Sequence, residues 1–398
     1  MSERVPAIVL GGSHGALSVA RCLGRRGIPV HAVNRADSPV LASRHVRPEP
    51  IASGAPFAEG ALARLHELAA RGLAGSVVLA ASDEGIEVLL AHRDELAGRF
   101  RLDLCAPDAQ RRMLDKRLTY EAAREAGVAC PRFWVVGSRE ELARIAGELV
   151  YPLLVKPCLS HVFQRRFRAK FLSANGPEEL SAALAVAEQA GVATVLMEKI
   201  PGPDDLLCSY YTYLDERGEP LFDFTKRIVR RQPPNMGLAC YHVSDHVAGV
   251  REPALRLFRH VGLRGLANVE FKRDPRDGVL KLIECNARFT AANALVERAG
   301  LDLASLAYNR LLGLPLPATD RFRDGVRLWA PGRDFLSFLE LRRRGELGLG
   351  AWLRSVLHPA LLPVFSWSDP LPSLTDALRR VGKRAGTLLT FDFSSGAR

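Results

Sequence analysis

The chain has 398 residues, 47% hydrophobic and 25% charged, which excludes a disordered or fibrous protein and allows about two to four domains. Its formal net charge is +11, carried mostly by scattered arginine with no module of interleaved aromatics; this argues against nucleic acid and suits an anionic small substrate. The 7 cysteines stand far apart without a CxxC, so neither a disulfide framework nor a zinc site is expected, and a reducing cytoplasm is the simple reading.

The N-terminal apolar run breaks at glycines too early for a signal peptide. Residues 5–105 alternate between strand patterns at 6–10, 28–33, 76–80 and 101–105 and helix patterns at 15–26, 57–72 and 84–97, a small parallel α/β unit. Its first turn, "VLGGSHGALS", carries Gly11, Gly12 and Gly15 but has Ser13 and Ala16 where a dinucleotide fingerprint needs glycine. Asn34 and Arg35 stand where a ribose-binding acid belongs, and Arg35 would suit a 2′-phosphate. One alternative reading is therefore an NADP-dependent oxidoreductase. "ASDEG" at 81–85 also ends a strand, where Asp83 and Glu84 are candidates to meet an amine. Asp108 is placed to cap a helix running to about Glu125, closed by Gly127 and Pro131.

Residues 133–200 read strand, helix, strand, loop, strand, helix, strand, with "PLLVKP" and "TVLMEKI" the clearest strands. Residues 208–230 form an antiparallel pair turning at "DERGEP", and "LANVEFKRDPRDGVLKLIECNARF" is a hairpin about a turn rich in Asp, Pro and Gly. "ALVERAGLDLASLAYNRLLG" reads as helix, ended by Gly313 and Pro315. The tail from 320 holds amphipathic helical material. Its most apolar stretch is interrupted by Arg354, His358, Pro359 and Pro363, so it should pack on the preceding lobe or lie on a membrane surface, not span one.

The hairpin carries the strongest chemistry. Strand alternation puts Glu284, Asn286 and Arg288 on one face, and pairing through the turn brings Glu270 alongside. Two carboxylates and an amide oxygen make a hard-oxygen set suited to Mg²⁺, and the planar fork of Arg288 suits a phosphate. A solvated charged face is the plain alternative, but these polar residues are embedded in a strongly apolar strand. Lys116 opens the "DKRLTYEAAREAGV" segment and Lys156 ends an apolar strand; taken singly, each reads as a surface lysine. "MEKIPGPDD" runs from strand to turn, where backbone can read an adenine edge and Asp204 or Asp205 can accept from ribose hydroxyls.

The order of these features resembles the ATP-grasp superfamily. The resemblance covers residues 5 to about 315 and is most specific in "VKP" and the "E…ExNxR" hairpin. It implies an α/β fold: a Rossmann-like pre-ATP-grasp domain (1–106), a small lobe (107–196), a large lobe with the hairpin (197–319) and a mostly helical tail (320–398). It also implies that Lys116 and Lys156 contact ATP phosphates, that Glu198, Lys199 and Ile200 line the adenine, and that Asp204 or Asp205, with Asp204 favoured, holds the ribose. Glu270, Glu284 and Asn286 would bind two Mg²⁺ ions, Mn²⁺ being the substitute, and Arg288 would steady the transferred phosphoryl group. The family's Gly-rich loop is replaced by "CLSHVFQRRFRAKF", in which Ser160, His161, Arg165, Arg166, Arg168 and Lys170 would cover phosphates by charge.

The implied reaction is ADP-forming: a carboxylate becomes an acylphosphate, and an amine then displaces phosphate. Residues 224–246 resemble a segment of bacterial carboxylate–amine ligases of the D-aspartate ligase-like type. A regular strand there puts Lys226 and Arg230 on one face as contacts for the acylphosphate or the substrate carboxylate, with His242 and His246 as further candidates. The expected partners are a small carboxylate and a small amine, with a homodimer as the default assembly. A non-catalytic nucleotide-binding scaffold is the remaining alternative.

Overall fold

The computed structural model describes residues 4–103, 105–159 and 171–379, so the basic loop 160–170 lies outside the described residues. Contacts divide the chain into two units: residues 1–103, 289–318 and 361–398 form one, and residues 104–288 and 319–360 the other. Residues 289–318 thus group with the N-terminal unit and not with the hairpin that precedes them.

In the first unit β1 (Ala7–Leu10), β2 (Val30–Arg35), β3 (Arg47–Ile51), β4 (Val77–Ala80) and β5 (Arg101–Leu102) form a parallel sheet in the order β3-β2-β1-β4-β5. The near-continuous apolar runs of β1 and β4 are what a parallel sheet covered on both faces requires. β3, "RPEPI", carries two prolines, which suit its place at the sheet edge and hide it from a strand reading. The segment read as one helix at 84–97 is two helices meeting at His92. "ALVERAGLDLASLAYNRLLG" likewise breaks into Asn293–Ala299 and Leu303–Leu312, because Gly300 turns left-handed and Asp302 caps the second helix through the Ser305 amide.

The opening glycines serve packing. A Cβ on Gly11 would lie 2.2 Å from Ser82 Oγ, and one on Gly12 would lie 2.4 Å from the Ala81 carbonyl. The turn therefore closes against the end of β4. Arg35, the proposed 2′-phosphate contact, pairs with Glu84 at 3.0 Å and lies over the Phe57 ring. The oxidoreductase alternative loses both of its supports.

The second unit contains two antiparallel sheets. β6 (Phe133–Val135), β7 (Leu153–Pro157), β8 (Leu172–Ala174) and β9 (Thr194–Glu198) form the smaller, in the order β6-β9-β7-β8. β10 (Leu207–Leu214), β11 (Phe224–Gln232), β12 (Leu238–Ser244), β13 (Gly265–Arg273), β14 (Leu280–Asn286) and β15 (Arg327–Trp329) form the larger, in the order β14-β13-β10-β11-β12-β15. β15 comes from the tail, where no strand was expected, and its pairing with β12 fastens that tail to the large sheet.

The helix expected from Asp108 to Glu125 is two, Pro107–Leu114 and Lys116–Glu125. Asp115 is extended between them and caps the second helix through the amides of Arg117 and Leu118. One hydrophobic core joins these helices to both sheets, with Tyr120, Leu154 and Met197 packed among Tyr210, Val269 and Phe271. Tyr120, Tyr210 and Phe271 are each at most 1% exposed, and full burial of such a side chain is worth roughly 1.5–3 kcal/mol. Among the described residues no helix is long and apolar enough to cross a membrane.

Candidate active site

The site is a row of polar side chains across the large sheet. Register pairs Lys226 with Ser209, Ser209 with Glu270, and Glu270 with Glu284, so four adjacent strands aim these residues at one face. Lys226 is 1% exposed and donates to Ser209 Oγ at 2.9 Å. Burial pulls the pKa of Lys226 down and the nearby Glu270 pulls it back up. Glu270 and Glu284 face each other directly, an arrangement that destabilises a sheet unless a cation lies between them.

Asn286 pairs with Asn268 one step along the same face. The Asn268 amide nitrogen donates to the Tyr210 carbonyl, and the Asn286 nitrogen donates to Asn268 Oδ1 at 3.2 Å. These hydrogen bonds fix the Asn286 side chain with its amide nitrogen on Asn268. Two carboxylates and one amide oxygen fit a hard cation such as Mg²⁺, which takes its remaining ligands from water and substrate phosphate. Among the described residues no group of three His, Cys, Asp or Glu gathers as a metal cluster, so the amide is needed to complete the set. Arg288 follows in the bend after β14, half-buried.

Lys156, on β7, is 5% exposed and donates to the Tyr120 hydroxyl at 3.1 Å. That hydroxyl donates to the Ile283 carbonyl at 2.7 Å, at the β14 bulge beside Glu284. Tyr120 thus ties the small-sheet lysine to the hairpin, and it was not singled out from sequence. The available signal was its i+4 spacing from Lys116, which puts both on one face of the helix. The Lys116 amide itself donates to the Cys158 carbonyl just past β7.

The segment after β9 forms a hinge. A cavity of about 410 Å³ opens there, lined by Glu198, Lys199, Ile200, Asn235 and Arg276 among others, but by none of the phosphate or metal candidates. The Glu198 carboxylate is taken by Arg276 at 2.5 Å and Arg132 at 3.4 Å. Burial works to raise its pKa, and these hydrogen bonds outweigh burial and hold it low. The Glu198 amide donates to the Arg132 carbonyl, and the Lys199 amide to the Pro152 carbonyl. Burial, then Arg231, lowers the pKa of Lys199; the same two causes hold Lys272, on β13, down to about 8.

Two expectations need correction. Asp204, favoured for the ribose, is 5% exposed, and its oxygens accept from Arg231 Nε at 2.6 Å and from the amides of Arg231 and Asn235. Its neighbour Asp205 is the exposed carboxylate of the pair. Arg230 does not share a face with Lys226. A bulge at Val229 pairs Ile228 with His242 but Arg230 with Tyr241, which turns Arg230 to the opposite face. There it forms a two-pronged ion pair with Asp334 at 2.6 and 3.1 Å, the two side chains 6% and 0% exposed. Trp352 Nε1 also donates to Asp334, so Arg230 anchors the tail. His242, on the Lys226 face, has its pKa pulled well down by burial and then by Lys226, and its Nδ1 has no hydrogen-bond partner among the described residues.

Residues 243–319, which span the hairpin, match the family of the carbamoyl-phosphate synthase L chain, ATP binding domain. The D-aspartate ligase of Enterococcus faecium is 26% identical over 294 residues, 68% of this chain and 67% of that enzyme. The ADP complex of an N5-carboxyaminoimidazole ribonucleotide synthetase superposes with a TM-score of 0.65 at 16% identity, over 86% of this chain and 87% of that one.

The chain has the ATP-grasp fold.

A further ATP-grasp neighbour, the biotin carboxylase domain dimer of the Hydrogenobacter thermophilus 2-oxoglutarate carboxylase in complex with MgADP, ADP and bicarbonate, has a TM-score of 0.64 at 17% identity, covering 81% and 73% of the two chains. The multifunctional protein CAD of Squalus acanthias is matched over only 3% of its length, and the mitochondrial carbamoyl-phosphate synthase of Aquarana catesbeiana over 6%. Within the ATP-grasp frame, the smaller and larger sheets are the two lobes.

Proposed function

We propose that this chain is an ATP-dependent, ADP-forming ligase that joins a small carboxylate to a small amine through an acylphosphate. The observation that supports it most is the row Lys226–Ser209–Glu270–Glu284, a buried cation and two opposed carboxylates on one sheet face. Lys116 and Lys156 would hold the ATP phosphates, the backbone of Glu198–Ile200 the adenine, and Asp205 the ribose. Glu270, Glu284 and Asn286 would hold Mg²⁺, two ions in the fullest form of this reading, which supply positive charge against the phosphates.

The protein's own part is positioning and electrostatics. Lys226, held by Ser209, would orient the substrate carboxylate toward the γ-phosphorus. The carboxylate oxygen forms the new P–O bond as the bond to ADP breaks. Arg288 would stabilise charge on the phosphoryl oxygens in flight. The amine then attacks the acyl carbon, a C–N bond forms, and phosphate leaves with the electron pair. Neutral His242, on the Lys226 face, is a candidate to accept a hydrogen bond from the substrate.

A cytoplasmic location belongs to the same reading and is supported by seven free thiols, five of them driven well above their usual pKa, chiefly by burial. Assembly as a homodimer and contact of the tail with a membrane surface are further parts of it. The leucines Leu349, Leu353 and Leu357, spaced by four and all exposed, support the membrane contact. The deciding experiment screens amino acids and small carboxylates with MgATP, measures ADP and phosphate, and traps the acylphosphate with hydroxylamine as a hydroxamate. AMP and pyrophosphate as products would overturn the mechanism.

A further inference from the structure

His31, His66 and His260 each stand within 3.0 Å of a glutamate. His242, on β12, has the opposite surroundings. It is 9% exposed and sits between Ile228 and Leu328 of the neighbouring strands. Among the described residues, the charged group that acts on it is the Lys226 ammonium. Register pairs Lys226 with Ser244, two residues from His242 on one face. The two side chains are therefore diagonal neighbours, roughly 7–8 Å apart at the backbone. The Ala239 carbonyl accepts a hydrogen bond from the ring, and Nδ1 has no partner among the described residues. That pairing assigns the ring proton to Nε2 and leaves a lone pair at Nδ1. Burial and then Lys226 keep the imidazole neutral. A buried acceptor with no donor is a standing cost, which an N–H from a ligand removes.

Strand order says which ligand that is. Across β14, β13, β10, β11 and β12, one face carries Glu284, Glu270, Ser209, Lys226 and then His242. Phosphate belongs at the carboxylate end, where a cation can meet it. The carboxyl group being activated belongs at Lys226. The β12 end is left to the amine, which arrives as an ammonium and has no lone pair until it gives up a proton.

We propose that His242 is a catalytic residue, the base that takes a proton from the attacking amine at Nδ1. The inference rests on the ligase reading above. The ammonium gives one proton to Nδ1, and the freed nitrogen lone pair forms the C–N bond at the acyl carbon. The C–O bond to phosphate breaks, and phosphate leaves with the electron pair. The second amine proton goes to the departing phosphate, and His242 returns the first to solvent. Lys226 opposes a charged ring while it stands alone; a bound acylphosphate offsets that charge, so the base strengthens once the acyl group is in place.

The test competes two nucleophiles in the full chain, with MgATP and the acid that the carboxylate screen yields. One is the amine from the same screen, an ammonium at neutral pH. The other is hydroxylamine, largely neutral there, which needs no base to expose its lone pair. His242→Phe fills the ring's volume; His242→Asn keeps an acceptor that takes no proton and serves if the Phe variant does not fold. In both, the ratio of amide to hydroxamate should fall about 10²–10⁴-fold, the range of a positioned acid or base. Melting temperatures identify the folded variants. A ratio equal to wild type in the Asn variant makes His242 a hydrogen-bond acceptor only and overturns the proposal, as does an unchanged ratio in the Phe variant. Wild type that makes neither product from any acid removes the ligase reading itself; wild-type hydroxamate and amide with an unchanged ratio in the variants removes the base alone.

Discussion

Lys226 and Arg230 lie four residues apart on one strand, and they do opposite work. Lys226 faces two opposed carboxylates with a single neutral hydroxyl as its near partner. Arg230 is locked to Asp334, with Ser355 and Trp352 completing the cluster. The first arrangement sets a buried cation and two facing carboxylates on one open sheet face, as a site for anionic substrate and cation must. The second is closed, as an anchor must be. A single bulge separates them, and composition gives no hint of it: both are basic residues in a basic strand.

The contrast predicts that damage at the first place removes activity and spares the fold, while damage at the second does the reverse. The largest effect is expected at the hairpin. Glu284→Gln should lower the rate of ADP release by about 10²–10³-fold, the range for losing one preorganised electrostatic group. The same variant should stay folded without Mg²⁺, read by its melting temperature. Mg²⁺ with ADP should raise the melting temperature of wild type and not of the variant. Lys226→Met should also lose at least about 10²-fold in turnover with the fold retained, since a buried cation exchanges for an apolar side chain of similar length.

At the other end of the strand, Asp334→Ala strands the Arg230 guanidinium in the interior. It should cost about 3–5 kcal/mol of stability, read by urea unfolding. The double variant Arg230→Met with Asp334→Leu should regain most of that loss, and the folded fraction should turn over near the wild-type rate. A turnover defect in this well-folded double variant would return Arg230 to the substrate side and erase the contrast.

How much of this was legible in sequence depends on the kind of information each feature needs. Glu270 opposite Glu284 follows from a short hairpin whose turn chemistry is local. Helix breaks at Asp115 and Gly300 are also written locally, as a capping acid and a left-handed glycine. Arg230 is different. Its bulge depends on pairing with β12 and on an acid 104 residues away, and neither is visible from strand alternation. Asp204 is similar: spacing from Gly202 placed it at the hinge, but its occupation by Arg231 and Asn235 is a tertiary fact. Tyr120 and Asn268 went unmarked because each acts on another group's position, and no motif spacing advertises such a role.

The smallest effect expected is a pH dependence at the hinge. Arg276 hydrogen-bonds Asp274 and Glu198, and both carboxyls sit below their ordinary range, Asp274 chiefly through that hydrogen bond and Glu198 against the opposing pull of burial. A carboxyl lowered by folding binds fewer protons in the native chain than in the unfolded one near its usual pKa of about 4. Its contribution to stability is therefore complete above that pH and is lost as the pH falls through the folded value. Arg276→Ala should melt below wild type at pH 7, and the gap should narrow steadily once the pH drops under about 4. Arg276 is 44% exposed in its side chain, so solvent screening keeps the gap small. A gap that stayed constant down to pH 2 would mean that Arg276 steadies the hairpin turn by packing, with its ion pairs contributing nothing measurable.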